Sequence, residues 1–374
     1  MLRILHVMGC SDAGGISTVV RNYYQFMDRS RIHFDIALTV PEQGQNSRAL
    51  EALGAHIFFL PMKSHDMEGF RLGLQKLLSE GHYDGIHVHE GETSFVALRI
   101  AYQMGIPCRI AHAHTTSPYE GIGSVFRRWA GCILNYRYAT HVVGCGQLAG
   151  ERIFGKNNMK RERAVVLPNA VDVQKFAFDP QVRTETRRRL GVEQKFVLGM
   201  VARLSDQKNI PFAVELMDLM REQLPEAVLL IVGNGENEQK IRDQIRNLHL
   251  EQQVRLLGRQ ASVEDMYQAF DLLLMPSLYE GYPLAAVEAL SSGLPVVMSD
   301  KITRELQFST GVSYLSLRDR EAWIRTISGW KQDEFREQRQ AEIPAHGLDI
   351  RDCVGLLQRI YEEDAAIKPT QNEK

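Results

Sequence analysis

The sequence predicts an α/β protein built from two doubly wound parallel sheets. Three observations carry that expectation. The chain has 374 residues, more than one typical domain holds. Short apolar runs alternate with segments of helical period, the pattern of strand–helix–strand units in a parallel sheet. The alternation also restarts: after a polar, Arg- and Lys-rich stretch from Glu151 to Leu190, the apolar run Phe196 to Val201 opens a second series.

In the first series, Arg3 to Met8 reads as a buried strand, followed by the loop Gly9 to Gly15 and a helix over Ile16 to Met27. Gly14 and Gly15 would let a ligand approach the backbone closely, or simply make a turn. The spacing is not Gly-x-Gly-x-x-Gly, so a dinucleotide fingerprint is absent. Strands follow at Phe34 to Val40, His56 to Leu60, Ile86 to His89, Cys108 to Ala113 and Val142 to Gly144. Helices are expected at Ala49 to Leu53, Phe70 to Glu80 and Thr93 to Met104. Val125 to Tyr138 is basic, aromatic and amphipathic, which fits core packing with an outward Arg face or contact with a membrane surface. The bridge that follows contains the turn Pro168-Asn-Ala-Val-Asp172 and a helix, Val182 to Leu190, ending at Gly191.

The second series continues through helix Pro211 to Gln223, strand Val228 to Val232, helix Glu238 to Leu248, strand Val254 to Leu257 and helix Val263 to Ala269. Strand Leu272 to Met275 comes next, and Gly311 to Leu317 is a later strand. A final helix, Ile350 to Glu363, is expected to pack back on the first half, with a disordered tail from Lys368 to Lys374. The domains are accordingly residues 1–180 with a C-terminal helix at about 348–367, and residues 181–347.

Composition narrows the class. The chain is 44% hydrophobic and 24% charged, with a formal net charge of −2, which is not the profile of a nucleic-acid binder. Residues 1–190 carry 23 Lys and Arg against 17 Asp and Glu, and the remainder 21 against 29. The basic first half suits an anionic lipid surface or a lipid-phosphate acceptor, although scattered solvated charge gives the same balance. Five cysteines without a Cys-x-x-Cys spacing argue against a disulfide framework and fit a reducing cytoplasm. The start, MLRILHVMG, is too short for a signal peptide, and no apolar run has the length of a spanning helix. The expectation is a cytoplasmic protein, soluble or peripheral on the inner face of the plasma membrane.

The most informative stretch is Met275 to Val297. Strand Leu272 to Met275 leads into a loop with Glu280 and Gly281, and Pro283 then opens a helix, at the first helical position that suits proline. Gly293 and Pro295 end that helix before the strand Pro295 to Met298. This order turns a helix N-terminus toward the edge of a parallel sheet where ligands bind, and the free N–H groups there suit phosphate. On one helix, Glu280 and Glu288 would stand about 12 Å apart. With Glu280 in the loop and Glu288 inside the helix, both can border one ligand: a diphosphate with a hydroxyl-bearing group at either side, the shape of a sugar nucleotide. Arg203 and Lys208, five residues apart in the loop after strand Phe196 to Val201, can clamp two phosphates and offset charge on a leaving diphosphate. Gly233 lies where strand Val228 to Val232 runs into a glycine turn, which either lines a nucleotide pocket or only turns the chain.

His87 and His89 lie at the end of one strand and His112 and His114 at the end of the next, so four imidazoles could meet around a metal, with Glu90 or Glu92 as further ligands. The expectation is nonetheless that no metal or cofactor is used. The chain has no Asp-x-Asp motif, and the two cations can take a metal's place.

The pattern Glu280-Gly-x-Pro-Leu-x-x-x-Glu288-Ala-Leu-x-x-Gly-x-Pro-Val-Val resembles the nucleotide-sugar signature of family-four retaining glycosyltransferases, whose GT-B fold sets two Rossmann-like domains across a cleft. Val165-Val-Leu-Pro-Asn-Ala-Val-Asp172 with Phe176 is similar to that family's interdomain pattern, with Ala170 in place of the usual glycine. The likeness covers nearly the whole chain and is most specific in the second half. It implies roles for single residues. Arg203 and Lys208 match the phosphate clamp. Glu280 would sit by the donor sugar, with the backbone of Gly281, Tyr282, Pro283 and Leu284 at the sugar and diphosphate, and Glu288 on the ribose hydroxyls. Gly15 would let its loop close over the diphosphate, and Gly258-Arg259 would touch the base. His114, in Ile110-Ala-His-Ala-His-Thr-Thr116, matches the histidine that contacts the donor sugar near the reacting carbon, with His112 as the alternative.

The resemblance therefore implies a retaining, metal-independent glycosyltransferase with a nucleotide-diphosphate sugar as donor, most closely a UDP-sugar. Its acceptor would be a saccharide or lipid-linked saccharide in exopolysaccharide or capsule assembly. Two alternatives stay open: a non-catalytic nucleotide-binding partner subunit, and an epimerase on the same fold. Asp300-Lys-Ile-Thr-Arg-Glu305 departs from the family by lacking its glycine pair, which leaves the identity of the donor sugar undetermined.

Overall fold

The computed structural model describes residues 1–9, 15–40, 42–117, 122–332 and 335–366. Gly14 and the tail Lys368 to Lys374 lie outside them. The chain divides into two compact units, Met1–Ala170 with the segment from Ile350 onward, and Val171–Asp349. The first boundary thus falls ten residues before the expected one at 180.

The first unit is a seven-stranded parallel sheet. Its strands are β1 Leu2–Met8, β2 Ile32–Leu38, β3 Ile57–Phe59, β4 Gly85–Val88, β5 Cys108–Ala113, β6 His141–Gly144 and β7 Ala164–Val166, in the order β3-β2-β1-β4-β5-β6-β7. The second is a six-stranded sheet of β8 Phe196–Val201, β9 Ala227–Val232, β10 Val254–Gly258, β11 Leu272–Met275, β12 Val296–Ser299 and β13 Val312–Leu315, in the order β10-β9-β8-β11-β12-β13. Every recorded strand pair is parallel. Central strands of such sheets are covered on both faces, which is why β9 and β11 are apolar without alternation and buried along their whole length.

Both orders share one feature that positions the site. The chain starts in the middle, at β1 or β8, builds outward to one side, then returns to build the other. Between β1 and β4, and between β8 and β11, successive connections run to opposite sides, and the loops leaving those strands bound a crevice at the sheet's C-terminal edge.

Three expectations change. The bridge from Glu151 to Leu190 is not only a linker. It holds the end of helix Gln147–Phe154, the edge strand β7 and the short helix Val173–Phe176. β7 is three residues long and only half-buried, so it lacks the apolar run that marks central strands. Pro283 is the N-cap of helix Leu284–Ser291 and not its first residue. Helix Ile122–Tyr138 does not turn an Arg face out over a buried apolar one: Val125, Phe126, Trp129 and Ile133 are all exposed. The face that packs inward sets Gly131 against the backbone of Glu92, Asn135 donating to the Gly91 carbonyl at 3.1 Å, and the half-buried Tyr136 and Tyr138 against the core.

The last helix, Ile350–Ala366, belongs to the first unit. Tyr361 is fully buried beneath the sheet's histidines, and Asp364 accepts hydrogen bonds from Thr140 and His141.

Candidate active site

In the second unit, the loops after β8 and β11 are joined at the switch point. Leu278 N–H donates to the Gln207 carbonyl at 2.8 Å, Gln207 Nε2 to the Tyr279 carbonyl at 2.9 Å, and Asn209 Nδ2 to the Pro276 carbonyl at 3.2 Å. Asn209 can close its loop because it adopts a left-handed conformation, φ 49°, that asparagine tolerates better than most residues. These bonds bring Lys208 Nζ to 2.6 Å from Glu280 Oε1. Both side chains are largely buried, at 20% and 9% exposed, so each charge needs the other. Gln207 Nε2 stands 3.4 Å from the second carboxylate oxygen.

Glu280 leads through the buried residues Gly281, Tyr282 and Pro283 into helix Leu284–Ser291. Pro283 has no side-chain acceptor to cap the first turn, and the N-terminal end of a helix dipole attracts anions. Glu288 is the fifth helical residue. Its Oε2 accepts a 2.7 Å hydrogen bond from the hydroxyl of the fully buried Tyr267. Burial and then the charge of Glu288 push the Tyr267 hydroxyl well above its ordinary pKa, so it remains a donor. The two glutamates are therefore held by different partners on the two sides of one helix start.

Arg203 lies outside this buried set. Its Nε donates to Glu236 Oε2 at 3.1 Å with both side chains about half exposed, and such a pair is weak and readily exchanged. Arg259 Nε donates to Asn234 Oδ1 at 2.9 Å. The glycine turn after β9 supports the Arg203 loop directly: Leu204 N–H bonds the Asn234 carbonyl at 2.9 Å. Gly233 has φ 130°, and a Cβ there would stand 1.9 Å from the Ala202 carbonyl oxygen, so only glycine fits.

In the first unit, Gly15 opens helix Gly15–Phe26, exposed and with nothing described within 4 Å of where a Cβ would sit. The four expected histidines meet, and His6 of β1 joins them. His87 Nε2 is 3.1 Å from His112 Nδ1, His89 Nδ1 is 2.9 Å from His114 Nε2, and His6 Nδ1 is 3.0 Å from His89 Nε2. Burial lowers the pKa of all five, to about 3 for His6 and His114, so they are neutral near pH 7. Among the described residues, His6, His87 and His89, and likewise His89, His112 and His114, have ring nitrogens close enough together to hold a metal ion. Glu90 is not placed as a further ligand by its contacts; it forms an ion pair with Lys63.

The residues that fix the site without being expected are Tyr267, Gln207, Asn209, His6 and Tyr361. Only Asn209 carried a local signal, as an asparagine between a loop and a helix start. The others act through contacts far apart in sequence.

Comparison with known proteins gives a consistent picture. The chain matches the model for Glycosyltransferase Family 4 over residues 13–175 and that for Glycosyl transferases group 1 over residues 182–343. It is 32% identical to the protein named "Putative glycosyltransferase EpsF" of Bacillus subtilis (strain 168), across 96% of each chain. It is 28% identical to the UDP-Gal:alpha-D-GlcNAc-diphosphoundecaprenol alpha-1,3-galactosyltransferase of Escherichia coli, over 80% of this chain and 79% of the other. Among solved structures, Anabaena HepE in complex with UDP-glucose superposes with a TM-score of 0.80 at 21% identity, over 98% of this chain and all of HepE.

Proposed function

This chain belongs to glycosyltransferase family 4, and we propose that it moves a sugar from a UDP-sugar to a saccharide or lipid-linked saccharide, retaining the anomeric configuration. Its fold is GT-B, with two Rossmann-like parallel-sheet domains. The observation that carries the reading is the buried Lys208–Glu280 pair at the β8/β11 switch point, beside the start of helix Leu284–Ser291. A cation, a carboxylate and a helix N-terminus there offer a diphosphate charge compensation and a sugar hydroxyl an acceptor.

In this reading Lys208 and Arg203 take up the negative charge that grows on the departing UDP. Arg203 exchanges its exposed partner Glu236 for phosphate oxygen, while Lys208 is already aimed by Glu280. Glu280 holds the sugar, Glu288, aimed by Tyr267, holds the ribose, and Arg259 lies toward the base. His114 contacts the donor sugar. The acceptor hydroxyl attacks on the face from which UDP leaves and gives its proton to the leaving phosphate, so no protein nucleophile is required. The reaction uses no metal or other cofactor, a reading supported by two cations at the diphosphate and by the lack of an Asp-x-Asp motif.

Exopolysaccharide or capsule synthesis is supported by the likeness to EpsF, and a lipid-linked acceptor by the Escherichia coli relative, whose name specifies a UDP-sugar, a diphosphoundecaprenol-linked acceptor and an α linkage. Among the described residues, no helix is long and apolar enough to cross a membrane. The exposed face of Val125, Phe126, Trp129 and Ile133 on a net-positive first half supports a peripheral position on an anionic membrane face.

A thermal-shift panel of UDP, GDP, ADP and their common sugars, with and without EDTA, tests the donor. The expected result is stabilisation by UDP and one UDP-sugar, unchanged by EDTA. No shift with any nucleotide at millimolar concentration would sink the donor site and favour a partner-subunit role.

A further inference from the structure

The contacts of the five buried histidines form a single file. His112 Nδ1 meets His87 Nε2 at 3.1 Å, and His87 Nδ1 meets the Tyr361 hydroxyl at 2.6 Å. That hydroxyl meets His6 Nε2 at 3.3 Å, His6 Nδ1 meets His89 Nε2 at 3.0 Å, and His89 Nδ1 meets His114 Nε2 at 2.9 Å. No ring uses one nitrogen twice, and the file has two ends. One is His112 Nε2, buried and without a hydrogen-bond partner among the described residues. The other is Nδ1 of His114, which is less buried than the other four rings.

Counting protons makes this file cooperative. A neutral imidazole carries one N–H and a tyrosine one O–H, so six groups bring six protons to five hydrogen bonds. One proton is left over, and it sits at an end. If it sits on His114 Nδ1, every bond points outward and all five rings carry their proton on Nδ1. If it sits on His112 Nε2, every bond points inward and all five carry it on Nε2. Any mixture places either two lone pairs or two protons face to face in at least one bond. A ring's tautomer is set by the bond its other nitrogen makes, and here each ring sets the next.

We propose that His112, His87, Tyr361, His6 and His89 are positioning residues that fix, as one cooperative unit, which tautomer His114 presents. The proposal rests on the reading that His114 touches the donor sugar, since the tautomer decides whether Nδ1 offers an N–H or a lone pair. Two directions are open by count, and one is favoured by the ends. An N–H on His112 Nε2 would be a buried donor with no acceptor, the rarer kind of orphan in folded proteins. An N–H on His114 Nδ1 can reach water or a ligand. The file therefore points outward, and His114 is a hydrogen-bond donor at Nδ1.

Histidine 15N shifts of the labelled full-length chain, read by long-range correlation with the ring protons, test this without donor or activity. The expected result is that His6, His87, His89, His112 and His114 are all in the Nδ1–H form at pH 7. A mixture of tautomers overturns the cooperative file, a common Nε2–H form overturns its direction, and a transition metal bound through these rings overturns both. Tyr361→Phe keeps the ring and removes the middle link. His114 ring shifts should then change although Tyr361 does not touch His114, and kcat should fall several-fold at unchanged donor KM. Unaltered His114 shifts and kcat in a folded Tyr361→Phe protein would overturn the positioning role. Failure of UDP binding would instead remove the donor reading and leave the tautomer result standing.

Discussion

Lys208 and Glu280 form the buried pair on which the proposed donor site rests. Their 2.6 Å contact lies where little water screens it, so removing one partner leaves the other's buried charge poorly compensated. Lys208→Ala should lower turnover by about 10²–10³, the range for losing one preorganised group that stabilises transition-state charge. Glu280→Gln keeps the shape and should also lower turnover, with UDP binding by calorimetry less affected than kcat. Tyr267→Phe should act on binding alone. It removes one hydrogen bond to Glu288, worth roughly 1.5–3 kcal/mol to a charged group, and should raise donor KM about tenfold or more with kcat little changed. Gly233→Ala belongs to stability. With φ 130° and a carbonyl oxygen 1.9 Å from the new Cβ, the backbone must move, and the melting temperature should drop by several degrees.

Helix Ile122–Tyr138 is the element whose exposed face has most to explain. A soluble helix normally turns its apolar stripe inward, and this one leaves Phe126 66% and Trp129 61% exposed. Phe126→Ser with Trp129→Ser should leave the melting temperature nearly unchanged, because neither side chain is packed. The same pair of changes should abolish sedimentation with anionic vesicles. Retained vesicle binding would remove this helix from the membrane reading. The orientation was not legible in the sequence, since a basic, aromatic, amphipathic segment fits either a core or a lipid surface. Which face turns inward is set by the neighbours of Gly131 and Asn135.

For the whole molecule, the buried histidines set an acid limit. Burial, followed by neighbouring imidazole charge where it acts, holds His6, His87, His89 and His112 well below 6.5 in the folded chain, to about 3 for His6. As pH falls through 6.5 the unfolded chain takes up protons on these rings and the folded chain does not. Stability is therefore full above about 6.5 and is lost as pH falls toward 3. At pH 5.5 each ring accounts for about 1.4 kcal/mol of that loss. Four such rings together match the lower end of the roughly 5–15 kcal/mol that holds a typical domain together. The melting temperature measured by circular dichroism should fall steeply between pH 6.5 and 5. A flat profile over that window would show that the rings are not held neutral.

The sequence by itself determined the strands other than β7 and their parallel class. Local rules govern those features: continuous apolar runs for buried strands, glycine at switch-point loops, and a loop–proline–helix spacing that separates Glu280 from Glu288. Four of the expected elements, Cys108–Ala113, Phe196–Val201, Val263–Ala269 and Leu272–Met275, have the same bounds in the structure. The tertiary structure alone decided what those side chains face. It gave Lys208 to Glu280 across 72 residues, Tyr267 to Glu288, and Tyr361 to the histidines of β1 and β4 from the far end of the chain. The edge strand β7 also came only from the fold, since three half-buried residues carry no periodic signal and are held by pairing with β6. Periodicity reports which face of an element is buried. Which partner fills that face depends on long-range packing, and no spacing along the chain encodes it.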